Sequence, residues 1–174
     1  IPMPNWVTNE VRFTFDMSHQ KDKFINLVKS DDNPFDFNKI VLMPEVFNRL
    51  CTNGTVANET CWIDHSKPNG VGEQLTDLEL QRLKKEHGTV SGREWCVDNW
   101  GTKCNCVNIY HTEAFIDSVD DDLQVWFGFD TAWKPPTGIA HSLKHKFTGI
   151  KFRWFYRDAG DAWCGYLDDD IGGF

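Results

Sequence analysis

Leu123, Val125, Phe127 and Phe129 are apolar at every second position, and this alternation constrains the chain more than any other feature. In a strand, successive side chains point to opposite faces, so such a segment buries one face and leaves the other open. Ile150, Phe152, Trp154 and Tyr156 repeat the pattern, and Val11-Arg12-Phe13-Thr14-Phe15 gives a third half-buried strand. Two further segments, Val107 to Phe115 and Ala162 to Leu167, read as shorter strands, the second closing the sheet.

Helical signals lie between these strands. Ser18 reads as the cap of a helix running to about Lys29, with Phe24, Leu27 and Val28 on one face. Thr76-Asp77-Leu78-Glu79 has the form of a capping box, in which Thr76 and Glu79 satisfy free backbone donors reciprocally, and Leu75 and Leu80 flank it. That helix runs through Leu83 and stops at Gly88. Pro135-Pro136 opens a last helix, buried along Ile139, Leu143 and Phe147 and ended by Gly149. Phe35 to Leu42 reads as extended, Asn99 to Lys103 as a turn and Asp120-Asp121-Asp122 as a solvated turn.

The order of elements predicts one α+β domain over 1–174, a ferredoxin-like βαββαβ core with helices on one face of an antiparallel sheet. Residues 46–98 read as a helical and loop insertion outside this layer. Phe13, Phe15, Val125, Phe127, Phe152 and Trp154 are expected in the sheet, with Phe24, Leu27, Leu143 and Phe147 packed against it.

The net charge is -8, which repels a phosphate backbone and argues against generic nucleic-acid binding. No apolar run approaches the roughly 18 residues a membrane span needs. The start does not read as a signal peptide, and Met3 reads as the native first residue. The six cysteines, Cys51, Cys61, Cys96, Cys104, Cys106 and Cys164, are irregularly spaced in a chain long enough to fold without staples. They are read as free thiols of a reducing cytoplasm, and the acceptor patterns Asn53-Gly54-Thr55 and Asn58-Glu59-Thr60 as chance.

Four blocks then suggest a family: Met3-Pro4-Asn5-Trp6-Val7-Thr8-Asn9, Lys39-Ile40-Val41-Leu42-Met43-Pro44-Glu45, Asn99-Trp100-Gly101-Thr102-Lys103, and Phe129-Asp130-Thr131-Ala132-Trp133-Lys134-Pro135-Pro136. In this order they resemble the YubB-type ferredoxin-like domain carried by plasmids and phages. The resemblance implies the fold and a mobile-element origin, and no defined chemistry. Cys104 stands where that pattern has a second Trp, and Lys134 where it has Ser.

No local signature of nucleophilic catalysis ties Cys, His and Asp together. Cys96, Cys104, Cys106 and His111 lack the paired spacing of a zinc site; His141 and His145, four apart on one helical face, have the spacing to chelate a metal, but a solvent-exposed pair is the favoured reading. No metal or other cofactor is expected. Asn99, Trp100, Lys103, Asp130 and Trp133 mark either a structural motif or a pocket, the structural role being favoured. Two acidic clusters, Asp120, Asp121, Asp122 and Asp168, Asp169, Asp170, suggest a surface that docks a basic host protein. The sequence thus points to a non-enzymatic accessory protein of a phage or plasmid that inhibits a host protein, such as an antiviral defence complex, in the bacterial cytoplasm. Direct nucleic-acid and membrane contacts are not expected. The rival readings are a nucleotide-binding protein, with an aromatic ring on the base and Arg or Lys on the phosphate, and an enzyme with an unrecognised site.

Overall fold

The alternation fixes which face of each strand is buried. In the computed structural model, which describes residues 5–53, 59–111, 123–147 and 149–167, strand β1 (Trp6–Thr14) buries Val7, Asn9, Val11 and Phe13 and turns the residues between them outward. The elements follow as α1 (Ser18–Val28), α2 (Phe37–Ile40), a 3-10 turn (Glu45–Arg49), β2 (Leu50–Asn53), β3 (Glu59–Ile63), β4 (Val71–Gln74), α3 (Asp77–His87) and α4 (Gly92–Trp100). The chain continues through β5 (Val107–His111), β6 (Gln124–Ala132), α5 (Thr137–Lys146), β7 (Lys151–Asp158) and β8 (Trp163–Tyr166). The fold is α+β with antiparallel sheets: five strands ordered β5-β6-β1-β7-β8, and three ordered β2-β3-β4. The chain divides into two compact units, Ile1–Leu42 with Asn99–Phe174, and Met43–Asp98.

In the first unit β1 is central. Val11 lies opposite both Phe127 and Trp154, and Phe13 opposite both Val125 and Phe152. Rings from the helices close over this row: Phe13 and Phe24 lie 4.6 Å apart, and Phe24 meets Phe147 edge-on at 5.7 Å. Phe35 stacks on Phe127 at 4.8 Å and on Phe129 at 5.4 Å. Such pairs add about 0.5–1.5 kcal/mol each beyond the area they bury. Buried polar residues complete the layer, Asn9 and Asp158 among them. Asn9 donates to the Val7 carbonyl and to Thr131 Oγ1, both at 2.9 Å, and accepts from Trp154 Nε1 at 3.1 Å. Asp158 accepts from Asn5 Nδ2 at 2.6 Å and from the backbone of Gly160 and Asp161.

Several expectations are corrected. Phe35 to Leu42 is not extended throughout, because the Asp36 carboxylate accepts the Asn38 N–H and starts the short helix α2, which buries Phe37 and Ile40. The cap of α1 is Met17, whose N–H donates to Gln20 Oε1, and Ser18 is already helical. Leu27 is 44% exposed, since Phe24 and Val28, one turn apart, take the buried stripe. Asn99 and Trp100 close helix α4 and only the residues after them bend. The insertion, read as helix and loop, also contains the three-stranded sheet. The box around α3 forms as expected: Glu79 accepts from the Thr76 N–H at 2.8 Å, and the helix stops at Gly88.

None of the six cysteines is joined in a disulfide. Cys106 is buried and donates to the Phe35 carbonyl at 2.9 Å. Burial pushes its thiol from the ordinary 9.0 up to about 12, with smaller upward pushes from Asp36 and Cys104. The thiolate is disfavoured by folding, so this group's contribution to stability is complete below about pH 9 and is lost as pH rises towards about 12. Alkylation of the native protein at pH 8 should therefore modify the exposed Cys104 and Cys164 and leave Cys106 intact by mass spectrometry. Denaturant titrations from pH 8 to 11 should show stability falling faster for the natural chain than for Cys106→Ser.

Candidate ligand-binding face

Helices α1, α2 and α5 cover one side of the five-stranded sheet, and the alternation sends a different set of residues to the other. Outward positions on β1 are Trp6, Thr8, Glu10, Arg12 and Thr14, and those on β7 are Lys151, Arg153, Phe155 and Arg157. Register makes two rows across the strands. In the first, Arg12 stands between Trp126 on β6 and Arg153 on β7. In the second, Glu10 stands between Gly128 and Phe155, with Tyr166 of β8 opposite Phe155.

These rows form a shallow cup of about 340 Å³ lined by Glu10, Arg12, Trp126, Arg153, Phe155 and Tyr166. The Arg12 guanidinium lies 5.1 Å from the centre of the Trp126 ring, and that of Arg153 lies 5.5 Å from Tyr166. Phe155 and Tyr166 pack at 5.3 Å with their rings tilted by 55°. Trp126 remains 38% exposed and Tyr166 45%, although each has neighbours to pack on. Gly128 extends the aromatic surface: a methyl group there would overlap the Tyr110 ring, so its absence lets Tyr110 of β5 lie over the sheet, 48% exposed. Burial, then the charges of Glu10 and Asp130, raise the Tyr110 hydroxyl above its ordinary value, so it stays a protonated donor. The outward positions of β1, β6 and β7 carry Arg12, Lys151, Arg153 and Arg157 against Glu10 and Asp130. An aromatic and cationic patch therefore exists where none was read in the sequence. Whole-chain charge hid it, although the strand alternation already placed Arg12 and Arg153 on the open side.

The residues singled out in the sequence fall elsewhere. Asp120, Asp121, Asp122, Asp168, Asp169 and Asp170 lie outside the described residues. Trp100 is buried, packs edge-on to Phe37 at 5.9 Å and donates Nε1 to the Val41 carbonyl at 2.9 Å. Thr102, beside it, donates to the Ala132 carbonyl at 3.0 Å, and the Trp133 N–H, at φ 71, donates to the Asn5 carbonyl at 2.8 Å. These bonds join the four family-like blocks to one another, which gives the blocks a structural role. Lys103 covers the Trp133 ring at 4.7 Å on the surface, and Asp130 accepts from Asn108 at 3.0 Å. The carbonyl end of Asn99 meets Gly138 at the start of α5. Among the described residues, no three His, Cys, Asp or Glu side chains converge as a metal site, and His141 and His145 simply pack ring to ring at 4.3 Å. No described helix is long and apolar enough to cross a membrane.

Compared with family models, with curated proteins and with solved structures, the chain matches none.

Proposed function

We propose that the protein is a non-enzymatic binder of nucleotide ligands, and that the open sheet face is its site. The observation that carries this reading is the cup in which Trp126, Phe155 and Tyr166 stand beside Arg12 and Arg153. Planar rings offer stacking surfaces for a base, and guanidinium forks match phosphate oxygens. The strand order β5-β6-β1-β7, with α1 and α5 as the crossovers, supports a ferredoxin-like core extended by β8. The four-block resemblance supports an accessory protein of a plasmid or phage, and the free thiols suit the cytoplasm of its bacterial host.

Titration calorimetry with adenosine and cytidine monophosphates tests the site. The natural chain should bind, and Trp126→Ala should weaken binding roughly 5- to 150-fold, the equivalent of about 1–3 kcal/mol for one stacked base. An unchanged affinity in Trp126→Ala would remove the face from consideration. The net charge of -8 favours a second reading, in which the acidic clusters dock and inhibit a basic host protein. Under that reading Asp120, Asp121 and Asp122 changed to Asn slow association with the host protein and leave nucleotide binding unaffected; under the first reading the side chains that line the cup carry the binding.

A further inference from the structure

We infer that the natural occupant of this face is a single-stranded polynucleotide lying across the strands, an inference that rests on the nucleotide reading above. The first support is extent. Rings face the open side across the sheet: Tyr110 on β5, Trp126 on β6 and Tyr166 on β8 are exposed, and Phe155 on β7 is half-buried between them and the arginines. With strands about 4.8 Å apart, the row from β5 to β8 spans roughly 19 Å, more than one base and its phosphate can cover. A ligand the size of a mononucleotide would leave Tyr110 or Tyr166 without a partner.

The second support is the placement of charge. Arg12, Arg153 and Arg157 project from the central strands β1 and β7, among the rings and not around them. A strand laid on the face brings phosphates to the guanidiniums while its bases stack on the rings to either side. Glu10 sits in the middle of the aromatic row, between Tyr110 over Gly128 and Phe155. A carboxylate there accepts from the exocyclic amine of cytosine or adenine, as acidic side chains do with the amine of cytosine. Thymine and uracil present a carbonyl at the corresponding position, which the carboxylate repels.

The third support excludes a duplex. Stacking on rings needs unstacked bases, which a double helix does not present. The net charge of -8 also repels the second strand wherever it passes beyond the arginines. The chain can therefore be acidic overall and still hold one strand at this face.

Fluorescence anisotropy with labelled eight-nucleotide oligomers decides the matter, using deoxycytidine, thymidine and cytidine octamers, a matched DNA duplex and cytidine monophosphate. The single-stranded cytosine octamers should bind at least tenfold more tightly than the monophosphate and than the duplex. Trp126→Ala should weaken them roughly 5- to 150-fold. Arg153→Gln should lower the salt slope by about 0.7, the value for one lost phosphate contact on a single strand. Glu10→Gln should erase the preference for cytosine over thymine. Circular dichroism melting of each variant confirms that these surface changes leave the fold intact. If the monophosphate binds as tightly as the octamers, the inference fails and the nucleotide reading stands. If neither binds, both fail. Equal binding of duplex, or oligomer binding that Trp126→Ala and Arg153→Gln leave unchanged, overturns the inference.

Discussion

Trp154→Ala is expected to remove a large share of the chain's folding stability. The ring is fully buried and lies within 6.2 Å of Phe35, Phe129 and Phe152, centre to centre. Emptying a site of this kind costs about 3–5 kcal/mol. The variant also loses the indole N–H that serves Asn9 Oδ1 at 3.1 Å, and an unsatisfied buried acceptor costs about 1–3 kcal/mol more. Against a total stability of about 5–15 kcal/mol, a combined loss of about 4–8 kcal/mol removes a large share of it, and at the lower end of that range all of it. Trp154→Phe separates the two contributions, keeping much of the ring and losing the donor. Urea denaturation followed by circular dichroism should rank the three proteins natural, Phe, Ala. A loss below about 1 kcal/mol for the alanine variant would mean that this packing does not hold the sheet together.

Gly138→Ala should destabilise the protein, although glycine to alanine at an ordinary helix position stabilises by about 1 kcal/mol. Gly138 is the second residue of α5, and a methyl group there would overlap the Asn99 carbonyl oxygen and lie 2.8 Å from its carbonyl carbon. Backbone cannot swing aside as a side chain can, so the helix has to shift. Overpacking of this sort costs about 1–3 kcal/mol, occasionally more. The sign is thus reversed, and a melting temperature that rose in Gly138→Ala would show that the approach of α5 to Asn99 is looser than described. The same contact explains why the Asn99-Trp100-Gly101-Thr102-Lys103 block and the segment after Pro135-Pro136 belong together, as one brings the carbonyl and the other the glycine.

Legibility followed the range of the interactions. The alternation of β1, β6 and β7 and the box at Thr76 are written in neighbouring residues, and both could be read directly. Helix α2 could not, because four residues are too few to show a period, and its start depends on one Asp36 side chain. The three short strands of residues 43–98 lack a clean alternation and stand among Asn and Gly, so they looked like loop. The open face was half legible. Knowing that Phe13 is buried also says that Arg12 and Thr14 are not, and the same step from Trp154 turns Arg153 and Phe155 to the open side. What could not be read was the register that sets Arg12 beside Trp126, because pairing between residues more than a hundred positions apart leaves no local trace.

The amide of Asn9 has a consequence for how the strands find one another. Sliding β1 by two residues against β6 or β7 would still hide apolar side chains and still expose the polar ones, so the alternation by itself does not distinguish the two alignments. The amide does. Its bonds reach Thr131 on one neighbouring strand and Trp154 on the other, and a slide of two positions carries it away from both into a dry layer. One polar side chain thus makes the shifted alignments costly on both sides of β1 at once. Asn9→Leu should accordingly keep a collapsed, sheet-rich chain and lose its single alignment, a difference that broadened amide resonances in an NMR spectrum would record.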